Sequence, residues 1–254
     1  MKYTATADTD IGISKSTNQD SVLIKHAALE SGEEVLMAIV CDGMGGLSKG
    51  ELASATVIRA FAKWFDEELP FELKNPDLRV IGSKWSLMLK NLNTKILEYG
   101  TKYGISLGTT FSGILFLNDR YVIVHVGDTR VYKIDAQLNQ LTEDQTFIAR
   151  EIKRGTMTPE QAKTDKRRNL LLQCVGASRN VEPQVIYGAA EKGTYMLCSD
   201  GFRHEVTPQE IFDNLRPINL MNKMSMHSNA KYLIEQVKAR NERDNISVIL
   251  IKAE

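Results

Sequence analysis

The sequence predicts an α+β protein, and two observations carry that reading. Short runs rich in β-branched and aromatic residues recur along the whole chain, among them 35–41, 109–117, 121–126 and 246–251. Among these lie two consecutive stretches with helical periodicity, 49–69 and 76–99.

In chain order, residues 2–8 and 20–28 have strand composition and flank a polar loop carrying Lys15, Asn18 and Gln19. The continuous apolar run from Val35 to Cys41 predicts a strand buried on both faces, ending in Asp42-Gly43-Met44-Gly45-Gly46. Ser48-Lys49-Gly50-Glu51 reads as a capping box, and Val57, Ala60, Phe61, Trp64 and Phe65 form one apolar stripe. Such an aromatic stripe is core rather than a ligand box. Asn75-Pro76 predicts the start of a second helix, with Ile81, Trp85, Met88, Leu92 and Ile96 on its buried face. The short link predicts an antiparallel helix pair.

Strands from Thr109 to Leu117 and from Tyr121 to Val126 read as a hairpin turning at Asn118-Asp119, followed by a strand from Arg130 to Ile134. Residues 142–175 are polar and only locally helical: Gly155 ends one short helix and Thr158-Pro159-Glu160-Gln161 caps another. Lys163, Lys166, Arg167 and Arg168 give this segment local positive charge, fitting either a functional flap or a solvated face. Strands are predicted at 181–187 and 194–198, a capped helix at Thr207-Pro208-Gln209-Glu210, and a last helix from Ser228. Met221, Met224 and Met226 read as a loop tucked over the core.

Composition narrows the function. The 254 residues are 43% hydrophobic and 25% charged, ordinary for a globular chain, and are read as one domain over 1–254. Lys+Arg and Asp+Glu both number 32, so a broad electrostatic nucleic-acid surface is not expected. There is no signal-peptide core, no stretch of membrane-spanning length, and only three widely spaced cysteines. A cytoplasmic location is therefore the expectation.

The chemistry concentrates in aspartates at strand termini. Asp42, Asp128 and Asp200 each adjoin a glycine at the end of an apolar strand, while Asp20 and Asp244 precede one. Taken singly, each reads as an ordinary turn residue. The glycines fit neither nucleotide motif: Glu51 stands where a P-loop needs lysine, and Ser48 where a dinucleotide fingerprint needs its third glycine. Several carboxylates brought together repel unless cations neutralise them. An all-oxygen donor set suits Mg²⁺ or Mn²⁺ rather than Zn²⁺. The set therefore predicts a two-metal hydrolase.

The ordered series Asn18-Gln19-Asp20, Asp42-Gly43-Met44-Gly45-Gly46, Gly108-Thr109-Thr110, Val126-Gly127-Asp128-Thr129-Arg130, Leu141-Thr142-Glu143-Asp144, Cys198-Ser199-Asp200-Gly201 and Arg243-Asp244-Asn245-Ile246-Ser247 resembles the metal-dependent Ser/Thr protein phosphatases of type 2C, in a bacterial form. The resemblance runs from residue 12 to the end. It implies a four-layer αββα sandwich, two antiparallel sheets flanked by antiparallel helix pairs. It implies hydrolysis of phosphoserine and phosphothreonine in proteins by water that two Mn²⁺ or Mg²⁺ ions activate, reversing Ser/Thr kinase signalling. Asp42 would bridge the ions, the Gly43 carbonyl would bind one, and Asp200 and Asp244 would complete the other. Asp20 would act through water, and Asp128 with Asp200 would form a looser third site. Residues 142–175 would be the flap. The partners implied are phosphorylated proteins and a cognate kinase.

Three departures stand out. Lys15 takes the place of the family's phosphate-gripping arginine and lacks its bidentate fork. Met44 replaces a histidine that some members use as a general acid, and Gln145 replaces a common histidine after Leu-Thr. A cysteine-dependent phosphatase is excluded, because Leu47, Asn180 and His204 stand six positions after the cysteines where arginine is required. The alternative reading is a catalytically attenuated phosphoprotein-binding module on the same scaffold.

Overall fold

A computed structural model of the chain describes residues 1–44 and 49–254. Gly45, Gly46 and Ser48, which belong to the predicted glycine turn and helix cap, lie outside the described residues.

Two five-stranded antiparallel sheets form the centre. One has the order β1 (Tyr3–Asp10), β12 (Ile246–Ala253), β11 (Gly193–Cys198), β8 (Arg130–Ile134), β9 (Leu138–Gln140). The other runs β10 (Gln184–Ala189), β7 (Arg120–Val126), β6 (Phe111–Leu117), β3 (Glu34–Cys41), β2 (Ser21–Ala28). A two-residue pair, β4 (Gly43–Met44) with β5 (Gly108–Thr109), sits at the end of β3. The hairpin between β6 and β7 turns at Asn118 and Asp119, whose φ values of +51° and +54° lie in the left-handed region that Asn and Asp tolerate.

The period-2 alternation of side chains produces the layers. On β3, Val35, Met37, Ile39 and Cys41 face outward, into a core shared with Phe61, Trp64 and Trp85. Leu36, Ala38 and Val40 face inward and meet Tyr195, Leu197, Ile249 and Ile251 across the sandwich. On the other sheet, Met196, Cys198, Val248 and Leu250 point outward against Met226, Leu233 and Val237. The outer layers are α1 (Gly50–Glu67), α2 (Leu69–Glu72) and α3 (Leu78–Tyr103) on one side, and α7 (Pro208–Leu215) with α8 (Lys223–Ala239) on the other. The α+β sandwich that the resemblance implies, with helices and strands where the periodicity places them, is thus observed. The shorter helices are α4 (Phe147–Lys153), α5 (Pro159–Thr164) and the one-turn α6 (Asp200–Arg203).

Several boundaries move. The first helix starts at Gly50 with Lys49 at its N-cap and no side-chain cap bond. The second starts after Asp77, not at Pro76, because the Asp77 carboxylate accepts the Arg79 N–H at 2.8 Å and supplies the cap. The last helix begins at Lys223, five residues before Ser228, where Asn222 and Ser225 form a reciprocal capping box. Met224 and Met226 are therefore helical; only Met226 is buried, while Met221 and Met224 are exposed. The strand predicted at 181–187 starts at Gln184, and β9 was not anticipated. The boxes at Thr158 and Thr207 form as predicted.

Candidate metal centre

Antiparallel strands that end at one edge of the sandwich bring residues distant in sequence together. Asp42 leaves the end of β3, Asp128 follows β7, Asp200 follows β11, and Asp20 and Asp244 enter β2 and β12. Local bonds fix each one. The Asp42 carbonyl accepts from the Thr110 N–H (2.9 Å) and Thr109 Oγ1 (3.0 Å), while Thr110 Oγ1 accepts from the Asp42 N–H (2.9 Å). Glu242 accepts the Asp244 N–H at 2.9 Å, and the Asn245 side chain ties the loop before β2 to β12 through the Gln19 N–H (2.9 Å) and the Ile11 carbonyl (2.9 Å).

Two of the glycines are explained by close approach. A Cβ on Gly43 would stand 2.4 Å from the Gln19 carbonyl and 2.5 Å from that of Gly50. One on Gly201 would stand 2.2 Å from the Asn245 carbonyl. Neither residue has positive φ, so the recurring Asp-Gly pair lets backbone segments cross beside the carboxylates.

The electrostatics mark the cluster as incomplete. Both Asp20 carboxylate oxygens and Asp200 Oδ1 are buried with no hydrogen-bond partner. Burial, joined by the charges of Asp200 and Asp244, pushes the Asp20 carboxyl up to about 7, although the nearby Ser247 and Ser199 hydroxyls act to lower it. Burial also raises Asp42 well above the usual range, together with repulsion from Asp20, Asp200, Asp128 and Asp244. Asp128 rises to about 7 through burial and Asp200, despite the Arg203 guanidinium nearby. Unpartnered, mutually repelling oxygen donors fit hard divalent cations. Among the described residues no group of three or more His, Cys, Asp or Glu makes a ready-made cage, so much of the coordination would fall to water.

A cleft of about 720 Å³ adjoins this floor, and of the five aspartates Asp128 and Asp244 line it. Ile148, Ile152 and Pro159 of the 142–175 segment form one wall; Arg203, His204 and Glu242 form another. Lys15 reaches the cleft as the sequence predicts, but its Nζ lies 2.8 Å from Asp244 Oδ1. Burial would lower the lysine's pKa, yet Asp244, Asp42 and Asp200 together raise it. The cluster thus brings together Asp20, Asp42, Asp128, Asp200, Asp244 and Lys15, with Gly43 opening β4 beside Asp42.

The sequence assigns no role to three residues here, although Gln145 stands out in it as a departure from the family pattern. Gln145 fastens the flap: its Oε1 accepts the Gly127 N–H (2.8 Å) and Gln173 Nε2 (2.8 Å), and its N–H donates to the Gly127 carbonyl (2.8 Å). Arg203 donates to the Asp128 carbonyl at 3.2 Å. His204 stands between Glu242 (3.3 Å) and Asp200 (3.6 Å). No local motif signals any of them, because each acts across the fold.

Comparison with known proteins identifies the family. The family model described as Protein phosphatase 2C matches residues 13–238. The chain is similar to the Serine/threonine protein phosphatase PstP of Mycobacterium tuberculosis, 31% identical over 253 residues; the match covers 98% of this chain but 44% of that protein. The chain therefore spans less than half of that relative's length. The structure of the S. agalactiae serine/threonine phosphatase superposes with a TM-score of 0.87 at 26% identity, covering 100% of both chains. The catalytic domain of PstP in complex with 2 manganese ions superposes with a TM-score of 0.77 at 28% identity, covering 98% of this chain and 97% of that one.

Proposed function

Because the chain belongs to the protein phosphatase 2C family, we propose that it hydrolyses phosphoserine and phosphothreonine in proteins, using two Mn²⁺ or Mg²⁺ ions. The observation that carries this reading is the set of buried, partnerless carboxylate oxygens on Asp20 and Asp200 at converged strand ends. Asp42, Asp200 and Asp244, with the Gly43 carbonyl, would hold the two ions, and Asp20 would act through water. When bound, the ions would lower the pKa of a coordinated water and screen the charge of the phosphoryl group.

The chain's own residues do the rest. The Asp42 backbone is locked by Thr109 and Thr110, which fixes the carboxylate before any ligand arrives. Lys15 supplies positive charge at the mouth of the floor. Ile148, Ile152 and Pro159 line the cleft wall and limit water beside the reacting phosphate. A looser third ion at Asp128 and Asp200 would compete with the Arg203 guanidinium, 3.8 Å from Asp128 Oδ2. Phosphorylated proteins are the proposed substrates, and a Ser/Thr kinase acting on the same sites the proposed antagonist. No described helix is long and apolar enough to cross a membrane.

The test is hydrolysis of a phosphothreonine peptide against Mn²⁺ concentration, for the native chain and Asp200→Asn. Turnover that requires metal and is largely lost in the variant supports the enzyme. Metal binding with no turnover of any phosphopeptide would replace it with the phosphoprotein-binding module.

A further inference from the structure

Arg203 ends α6, three residues after Asp200, and lines the same cleft as Lys15, Asp128 and Asp244. Its side chain is only 13% exposed, so its charge has been withdrawn from water. A guanidinium carries five N–H donors in a fixed fork. Among the described residues this one makes a single hydrogen bond, from Nη2 to the Asp128 carbonyl at 3.2 Å, and its Nε is buried with no partner.

The carboxylates nearby do not complete it. Asp128 Oδ2 and Asp144 Oδ2 lie 3.8 and 3.9 Å away, beyond hydrogen-bond reach. Asp144 is already held from two sides by Arg130, at 2.8 Å from Nε and 2.6 Å from Nη2. Of the guanidinia lining the cleft, Arg130 makes three hydrogen bonds, two to Asp144 and one to Tyr132, whereas the more buried Arg203 makes one.

A buried, under-used guanidinium fork beside a hard-metal floor matches the tetrahedral oxygens of a phosphoryl group. Lys15, where the family resemblance implies an arginine, has no fork and is drawn to Asp244. We propose that Arg203 binds the substrate phosphate in this chain, providing the planar two-point grip that Lys15 lacks. The proposal rests on the phosphomonoester reading above and names a residue which that reading does not use.

The experiment titrates inorganic phosphate into the Mg²⁺-loaded full chain by calorimetry, for the native protein, Arg203→Gln and Arg203→Lys. It is paired with KM and kcat for p-nitrophenyl phosphate at saturating metal. Arg203→Gln is expected to weaken phosphate binding at least tenfold and to raise KM by a similar factor, with a smaller change in kcat. Arg203→Lys keeps the charge without the fork and should recover only part of the loss. Adding Lys15→Arg to Arg203→Gln should recover more.

A phosphate Kd within twofold of native in Arg203→Gln overturns the proposal. So does a loss confined to Mg²⁺ affinity, which would make Arg203 a counter-charge for Asp128. If Arg203→Gln does not fold, Arg203→Lys decides on the same readout. Native protein that binds phosphate through Arg203 but hydrolyses no phosphomonoester sinks the hydrolase reading and leaves this site standing. Full hydrolysis by Arg203→Gln with unchanged phosphate Kd does the reverse.

Discussion

Two carboxylates withdrawn from water near the same cleft meet opposite fates. Asp144, at the base of the flap, is gripped by Arg130 through two hydrogen bonds of 2.6 and 2.8 Å. Burial alone would raise its pKa, but Arg130 outweighs burial and holds the carboxyl below its ordinary range. Asp20, at the strand-end floor, has no partner for either oxygen, and its carboxyl is pushed up to about 7. Where the fold needs a permanent negative charge it supplies an arginine. Where it leaves carboxylates uncompensated, the missing charge would come from solution, which is what the proposed cation site rests on.

The largest predicted effect removes a floor carboxylate. Asp42→Asn should lower kcat/KM by about a thousandfold or more, on the scale of losing one preorganised electrostatic group. The same substitution removes a charge that repels Asp20, Asp200, Asp128 and Asp244. The metal-free variant should therefore melt at a higher temperature than the metal-free native chain, while excess Mn²⁺ should raise its melting temperature less. Calorimetric scans with and without chelator check this; equal melting temperatures without metal would show that the floor is not strained.

Breaking the satisfied region should do the opposite. Asp144→Asn leaves the Arg130 guanidinium partly buried without its counter-charge. Removing one partner of a buried pair typically costs 3–5 kcal/mol, and with Arg130 still 25% exposed the lower end, about 3 kcal/mol, is expected. Urea unfolding measures it. A loss below about 1 kcal/mol would mean that the pair behaves as a surface salt bridge and that the contrast with Asp20 is one of degree.

How far each region was readable follows from the range of its interactions. The strand ending in Asp42, the hairpin at Asn118-Asp119 and the Thr158 and Thr207 caps are local patterns, and all are legible in the sequence. The five aspartates are legible as a set because each sits at a strand end. The start of α8 was missed because Met221 and Met224 are exposed, so no apolar stripe announces its first turn, and Asn222 caps it with a serine where Glu or Gln is usual. Pro76 fits the first helical position and so masks Asp77 as a cap, yet it is the Asp77 carboxylate that reaches an N–H of the first turn. The contacts of Arg203 and Gln145 and the pairing of Arg130 with Asp144 could not be read, since each depends on segments that only the folded sandwich brings together.

A third prediction sharpens the contrast through pH. His125 is fully buried, donates or accepts at Ser112 (2.9 Å) and the Glu143 carbonyl (3.1 Å), and is held down to about 4 by burial. The unfolded chain, with an ordinary histidine near 6.5, takes up this proton more readily than the folded one. Its contribution to stability is therefore present above pH 6.5 and is lost as pH falls towards 4. The loss is at most about 3 kcal/mol. Asp20 and Asp128, raised to about 7, work in the other direction without metal, since the folded state then holds more protons than the unfolded one. Subtracting the His125→Gln profile from the native one isolates the histidine. The difference should shrink on acidification from pH 6.5 to 4; a constant difference would mean that His125 titrates alike in the folded and unfolded chain.

The smallest predicted effect lies between the two regions, at Lys15. Its Nζ sits 2.8 Å from Asp244 Oδ1, and both side chains are about 40% exposed, so the pair falls in the class worth 1 kcal/mol or less. Lys15 thus lends the floor a cation, as Arg130 does for Asp144, but weakly enough for a divalent ion to displace it. Lys15→Met should strengthen Mn²⁺ binding by about two- to fivefold, the range that 1 kcal/mol allows, because Asp244 is released. The same change should raise KM for a phosphopeptide, because the cleft loses positive charge facing the phosphate. Opposite movements of metal affinity and KM mean that Lys15 serves both ligands in turn. Tighter Mn²⁺ binding with an unchanged KM would leave Lys15 as a displaceable guard of Asp244 and move the whole phosphate grip to other residues.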